Sequence, residues 1–136
     1  MKKFVTVLNK KIETGRLMNA LGHMAVGFTA IYPEKEQLNF DNYIDKDGGM
    51  HPSISDNPFI VLSADNSNQI RTLRTMLKEK NIVFTDFTDT MIVGTAEEQK
   101  QRTKETSEID IEYYGICFFG ENDELRELTK KFSLWR

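Results

Sequence analysis

The chain has 136 residues and a net charge of −3, with 29% charged and 39% hydrophobic side chains. This balance excludes a disordered chain, and it weighs against a protein that grips phosphate backbones, which would carry net positive charge. The length fits one domain over residues 1–136 with a core of ordinary size.

Phe4-Val5-Thr6-Val7-Leu8 is a β-branched, nearly unbroken apolar run, which predicts a strand near 3–9 covered on both faces. Leu17, Leu21, Met24, Phe28 and Ile31 then recur at spacings of four, three, four and three, predicting a helix over 14–31. Thr14 reads as its N-cap, and Pro33 marks its stop. Residues 33–57 are polar and turn-rich, with no core element expected. Phe59-Ile60-Val61-Leu62 predicts a strand near 58–63, and Ile82-Val83-Phe84 another near 82–87. Between them Ile70, Leu73 and Leu77 form a helical stripe behind the cap-rich Asp65-Asn66-Ser67-Asn68. Residues 95–110 hold one large apolar residue, Ile109, and are read as a polar insert, a solvated helix at most. Tyr113–Phe119 predicts a strand near 112–119, followed by a stripe of Leu125, Leu128 and Phe132. Strands and helices that alternate in this way predict an α/β fold, with a central, mostly parallel sheet between helix layers.

Several chemistries are excluded cheaply. Two histidines, His23 and His51, and one cysteine, Cys117, cannot build a standard zinc cage, so no metal or cofactor is expected. A magnesium site at Asp86 and Asp89 would need substrate phosphates to complete it. Gly48-Gly49 lies away from any strand-to-helix turn, which excludes a phosphate loop. A lone cysteine forms no internal disulfide and suits a reducing compartment. No apolar stretch approaches the roughly 18–20 residues of a membrane span, so the expected location is cytoplasmic.

What remains is a polar stripe on the first helix, with Arg16, Asn19 and His23 on one face. Arg16 sits in the first turn, where its charge opposes the helix dipole, a local cost that suggests a task such as holding an anion. The second candidate is Asp86-Phe87-Thr88-Asp89-Thr90, just past the third predicted strand, where ligands bind in open α/β sheets. Arg16, His23 and Asp89 are the candidate catalytic residues. Asn19, Thr88 and Thr90 are candidate ligand contacts.

The stretch Gly15-Arg16-Leu17-Met18-Asn19-Ala20-Leu21-Gly22-His23-Met24-Ala25-Val26-Gly27 resembles the first-helix motif of type II peptidyl-tRNA hydrolases. Asp89 matches the Asp-Ala-Gly of that family, and Tyr114-Gly115-Ile116 its final Leu-Gly-Ile strand. Asp47-Gly48-Gly49-Met50-His51-Pro52, Tyr113-Tyr114-Gly115 and Leu134-Trp135-Arg136 more closely resemble the family known as domain of unknown function 2000, itself similar in fold to those hydrolases. The resemblance implies a four-stranded mixed sheet in an α/β/α sandwich, ester hydrolysis without a metal, and a homodimer. The departures matter. Arg16 stands where the hydrolases have a lysine, and it does not readily shuttle a proton. Val93 stands where they have a threonine, and Glu112 near another. The expectation is a cleft for a small anionic or peptidyl ligand, with peptidyl-tRNA hydrolysis weak or lost. The alternative is an active hydrolase of that ester or a related ester or amide. The charge weighs against tRNA in either case.

Overall fold

In the computed structural model, which describes residues 1–136, strand β1 (Lys2–Asn9) lies at the centre of a five-stranded sheet. Its side chains alternate between two cores: Val5 and Val7 point to one face, Phe4 and Leu8 to the other. Helix α1 (Thr14–Ile31) covers the second face, burying Leu17, Ala20, Met24 and Phe28. Helices α2 (Ser67–Glu79) and α4 (Asn122–Thr129) cover the first, through Ile70, Leu73 and Leu77 and through Leu125 and Leu128. Each such side chain, fully buried, stabilises the fold by about 1.5–3 kcal/mol.

The other strands of the sheet are β4 (Phe59–Ala64), β5 (Phe84–Thr88), β6 (Tyr113–Glu121) and β7 (Ser133–Leu134), in the order β5-β6-β1-β4-β7. β1 pairs parallel with β4, while β1–β6, β5–β6 and β4–β7 are all antiparallel. The sheet is therefore mixed but mostly antiparallel, which corrects the expectation of mostly parallel pairing, and it has five strands rather than four. The fifth, β7, has two residues, too few to leave a periodic signal.

The parallel expectation fails at one connection. β1, β4 and β5 do run in the same direction, joined by excursions that carry α1 and α2. Helix α3 (Ala96–Glu105), the insert, buries no residue and so cannot lie across a sheet face. The chain leaves the end of β5 and returns at the same edge, entering β6 antiparallel between β5 and β1. A crossover needs an apolar stripe to pack on the sheet, and α3 has none.

Local chemistry explains most element boundaries. Asn66 caps α2, accepting the Gln69 N–H at 3.0 Å. α3 opens on a capping box in which Thr95 and Glu98 bond reciprocally. α1 departs from the expectation: Thr14 is its first helical residue, and Glu13 occupies the cap position without a side-chain bond. Gly115 in β6 marks a close approach, since a Cβ there would meet Leu8 Cδ2 at 2.8 Å and the Val7 carbonyl oxygen at 3.1 Å.

Residues 33–57 do contain elements. Lys35–Leu38 form a short 3-10 turn that buries Leu38 among Phe4, Phe28 and Phe119. β2 (Phe40–Ile44) and β3 (Met50–Ser55) then pair with each other as a separate hairpin. Its turn is built on Asp45, whose Oδ1 accepts the Asp47 and Gly49 N–H groups, with Gly48 at φ 84°. The Asp-Gly-Gly sequence was the available signal for it. No helix is long and apolar enough to cross a membrane.

Candidate functional site

The first turn of α1 forms one wall of a cavity of about 310 Å³, lined by Glu13, Gly15, Arg16 and Asn19. Ile92 and Val93, on the loop after β5, form the other wall. Because Glu13 supplies no cap, the Thr14 and Gly15 N–H groups have no acceptor, while those of Arg16 and Leu17 turn back to the Glu13 carbonyl at 3.1 and 3.2 Å. The first turn carries no acidic residue. Arg16 is exposed, and its guanidinium takes part in none of the eight ion pairs. The Arg16 guanidinium and the unpartnered Gly15 N–H therefore share one opening, which favours an anion, with the Glu13 carboxylate on the same wall as the opposing charge.

His23, two turns along, lines a neighbouring hollow of about 360 Å³ with Met24, Gly27, Phe87, Met91 and Gln99. Its ring stacks on Phe87, with centroids 5.8 Å apart and planes at 28°. That contact orients the imidazole against the sheet.

The residues after β5 serve the backbone. The Asp89 N–H donates to the Glu112 carbonyl at 3.0 Å, and Asp89 Oδ1 accepts the Glu112 N–H at 3.2 Å, extending the β5–β6 ladder by a side-chain clip. The buried Thr88 and Thr90 hydroxyls bond each other at 2.7 Å, and Thr103 of α3 reaches Thr90 at 2.8 Å. Arg102 donates to the Thr90 and Val93 carbonyls, both at 3.0 Å. This network holds α3 against the end of β5 and fixes the Ile92–Val93 wall.

The structure thus brings Arg16 and Asn19 into one cavity and His23 into the adjacent one. Asp89, Thr88 and Thr90 line neither, and Asp89 forms no ion pair with Arg16. Asp86 borders the His23 hollow, and its carboxylate pairs with Arg74 Nε of α2 at 2.8 Å. Asp86 and Asp89 are committed to different partners, and no group of three or more His, Cys, Asp or Glu side chains is placed to hold a metal ion. Sequence reasoning missed Glu13 and Ile92, which carry no pattern of their own. It reached Val93 only as the substitute for a hydroxyl.

The fold has counterparts among solved structures. A protein of unknown function, Atu0240 from Agrobacterium tumefaciens strain C58, superposes with a TM-score of 0.84 at 17% identity, covering 99% of this chain and 98% of that one. At that identity the likeness shows a common fold. No curated protein matches the chain. The sequence profile described as "Protein of unknown function (DUF2000)" matches residues 2–136, and the chain belongs to that family.

Proposed function

We propose that the cavity beside the first turn of α1 binds a small anionic or peptidyl ligand, and that ester hydrolysis of peptidyl-tRNA at this site is weak or lost. The observation that carries the reading is the unpaired Arg16 guanidinium beside the unpartnered Gly15 N–H, in a cavity with room for a carboxylate and a short chain. Such a cluster binds through charge-assisted hydrogen bonds, which are stronger than neutral ones. Ile92 and Val93 offer apolar contact to the rest of the ligand.

The weak-hydrolysis half rests on what the neighbouring groups are doing. A general base must reach the proton it takes. The Asp89 carboxylate is occupied by a backbone N–H, and the hydroxyls of Thr88 and Thr90 are spent on each other. Arg16 keeps positive charge but does not cycle a proton at neutral pH. The likeness of residues 15–27 to type II peptidyl-tRNA hydrolases supports the position of the site more than its chemistry. The single thiol, Cys117, is buried and fits a reducing cytoplasm as the place of action.

Calorimetric titration with an N-acylated dipeptide, whose free carboxylate mimics the proposed ligand, tests the binding reading. Arg16→Ala is expected to weaken affinity by about tenfold to a hundredfold, the value of a hydrogen bond to a charged group, with an unchanged melting temperature. Equal binding by wild type and Arg16→Ala would refute it. Robust cleavage of peptidyl-tRNA that disappears in Asp89→Asn would favour the hydrolase instead.

A further inference from the structure

The Arg16 cavity and the His23 hollow lie end to end. Arg16, Asn19 and His23 follow one another at spacings of three and four on one face of α1. Asn19 therefore stands about 4.5 Å, and His23 about 10.5 Å, along the helix axis from Arg16. Opposite them runs the chain after β5. Val93 and Ile92 line the Arg16 cavity, and Met91, the next residue back, lines the His23 hollow. One side of α1 is thus a wall common to both.

The two ends offer different chemistry. Beside Arg16, the exposed Asn19 presents a side-chain amide that no protein group engages. In the hollow, three of the bordering polar groups are already engaged. The Thr85 hydroxyl donates to the Met24 carbonyl at 2.9 Å, Asp86 pairs with Arg74 at 2.8 Å, and Gln99 Nε2 donates to the Gly94 carbonyl at 3.2 Å. The floor left to a ligand is the apolar surface of Met24, Phe87 and Met91, with the His23 ring stacked on Phe87 at the rim. Gly27 keeps the hollow open. A Cβ there would sit 3.7 Å from Thr85 Cγ2, in ordinary contact, and a longer side chain would fill the space. A volume of about 360 Å³ is small among ligand pockets and suits one large side chain.

We infer that this face of α1 recognises the C-terminal end of a peptide: the carboxylate at Arg16, the adjoining amide at Asn19, and a large apolar side chain, from the third residue counted from the C-terminus, in the His23 hollow. The inference rests on the reading of the Arg16 cavity as an anion site and names the class of ligand that fills it. Spacing carries it. An extended chain advances about 3.3–3.6 Å per residue, so the third side chain stands about 10 Å from the carboxylate, which is the separation of His23 from Arg16 along α1. The amide nearest the carboxylate falls within the first helical turn, where Asn19 stands. Charge agrees at both ends. Glu13 on the Arg16 wall opposes a second anionic group, and Asp86, neutralised by Arg74, leaves the hollow to an uncharged side chain.

Titration of the full chain with three peptides tests this: acetyl-Gly-Ala, acetyl-Ala-Gly-Ala and acetyl-Phe-Gly-Ala, each with a free C-terminus. The first two are expected to bind alike, and the phenyl group to tighten binding by about tenfold, the effect of burying part of an aromatic side chain. Amidation of the C-terminus of the phenylalanine peptide is expected to weaken it by tenfold or more. Gly27→Leu fills the hollow at a helical position where glycine is the poorer residue, and in it the alanine and phenylalanine tripeptides are expected to bind alike. A readout on the wild type needs no variant. Amide shifts at Gly27, Phe87 and Gln99 are expected with the phenylalanine peptide and not with acetyl-Gly-Ala. Equal affinities for the two tripeptides, both lost in Arg16→Ala, would overturn this inference and leave the anion site standing. A phenylalanine preference that survives Gly27→Leu would also overturn it, since the side chain would then lie elsewhere. Binding of none of the three peptides would remove the anion site and the inference together.

Discussion

α1 and α3 both connect strands of the same sheet, and they are held by opposite means. α1 buries Leu17, Ala20, Met24 and Phe28 on the sheet and has no side-chain cap. α3 buries nothing, opens on a capping box, and is fastened by hydroxyls and carbonyls at Thr90, Arg102 and Thr103. The apolar helix can cross the sheet and leave its own terminus unsatisfied, because packing supplies its stability. The polar helix can only stand at the sheet's end, and it needs every local bond. The pairing direction of β6 follows from this difference, and so does the site. The unsatisfied terminus of α1 faces the loop that α3 fixes.

The comparison is broken most directly on the α1 face. Gly115→Ala would drive a Cβ against Leu8, Met24 and the Val7 carbonyl, the last of which cannot rotate away. The expected cost is about 1–3 kcal/mol in urea unfolding. A loss below about 0.5 kcal/mol would show that the α1 face has more slack than its geometry implies.

Alkaline pH probes the same face. Burial pushes the Cys117 thiol up to about 11 from an ordinary value near 9. Between those values the unfolded chain loses this proton and the folded chain keeps it. Stability therefore falls as pH rises through that window, by on the order of 2 kcal/mol for this group. Urea midpoints measured across it should decline in wild type, and Cys117→Ala should shallow the decline. Equal slopes would place the alkaline loss elsewhere, with Tyr113 the next candidate. Burial, then the bond to Glu108, pushes its phenol up to about 12.

Smaller effects belong to α3. Thr90→Val removes the hydroxyl between Thr88 and Thr103 and should cost about 1 kcal/mol, loosening the α3 amides in hydrogen exchange while those of α1 stay protected. Thr95→Ala removes the cap and should cost about 0.5–1 kcal/mol, confined to the first turn of α3. If either variant opens α1 as readily as α3, the two helices are not independently held.

How much of this was legible beforehand depends on whether a feature is periodic. The stripe Leu17 to Ile31 marked α1 over the range it occupies because Leu17, Met24 and Phe28 face the sheet, although Ala20 is buried in place of Leu21 and Ile31 is 53% exposed; Ile70, Leu73 and Leu77 marked α2. Strand direction was not legible, because it depends on whether the next connection can cross the sheet. The lack of apolar residues in 95–110 is visible in the sequence, whereas its effect on β6 depends on where the chain re-enters the sheet. The hairpin left no alternation because neither of its faces is buried, so only Asp47-Gly48-Gly49 marked it. At the site, Arg16 and Asn19 could be placed together by helical spacing alone. Asp89 could not, because a carboxylate at a strand end can as well extend a ladder as face a ligand.

The central claim is that the first turn of α1 binds an anion through Arg16. Amide chemical-shift mapping with the N-acylated dipeptide tests it most directly. Saturable shifts are expected at Thr14, Gly15, Arg16, Asn19 and Val93 and to vanish in Arg16→Ala, while Thr88, Asp89 and Thr90 stay still. Shifts centred on Asp89 and His23, persisting in Arg16→Ala, would contradict the account.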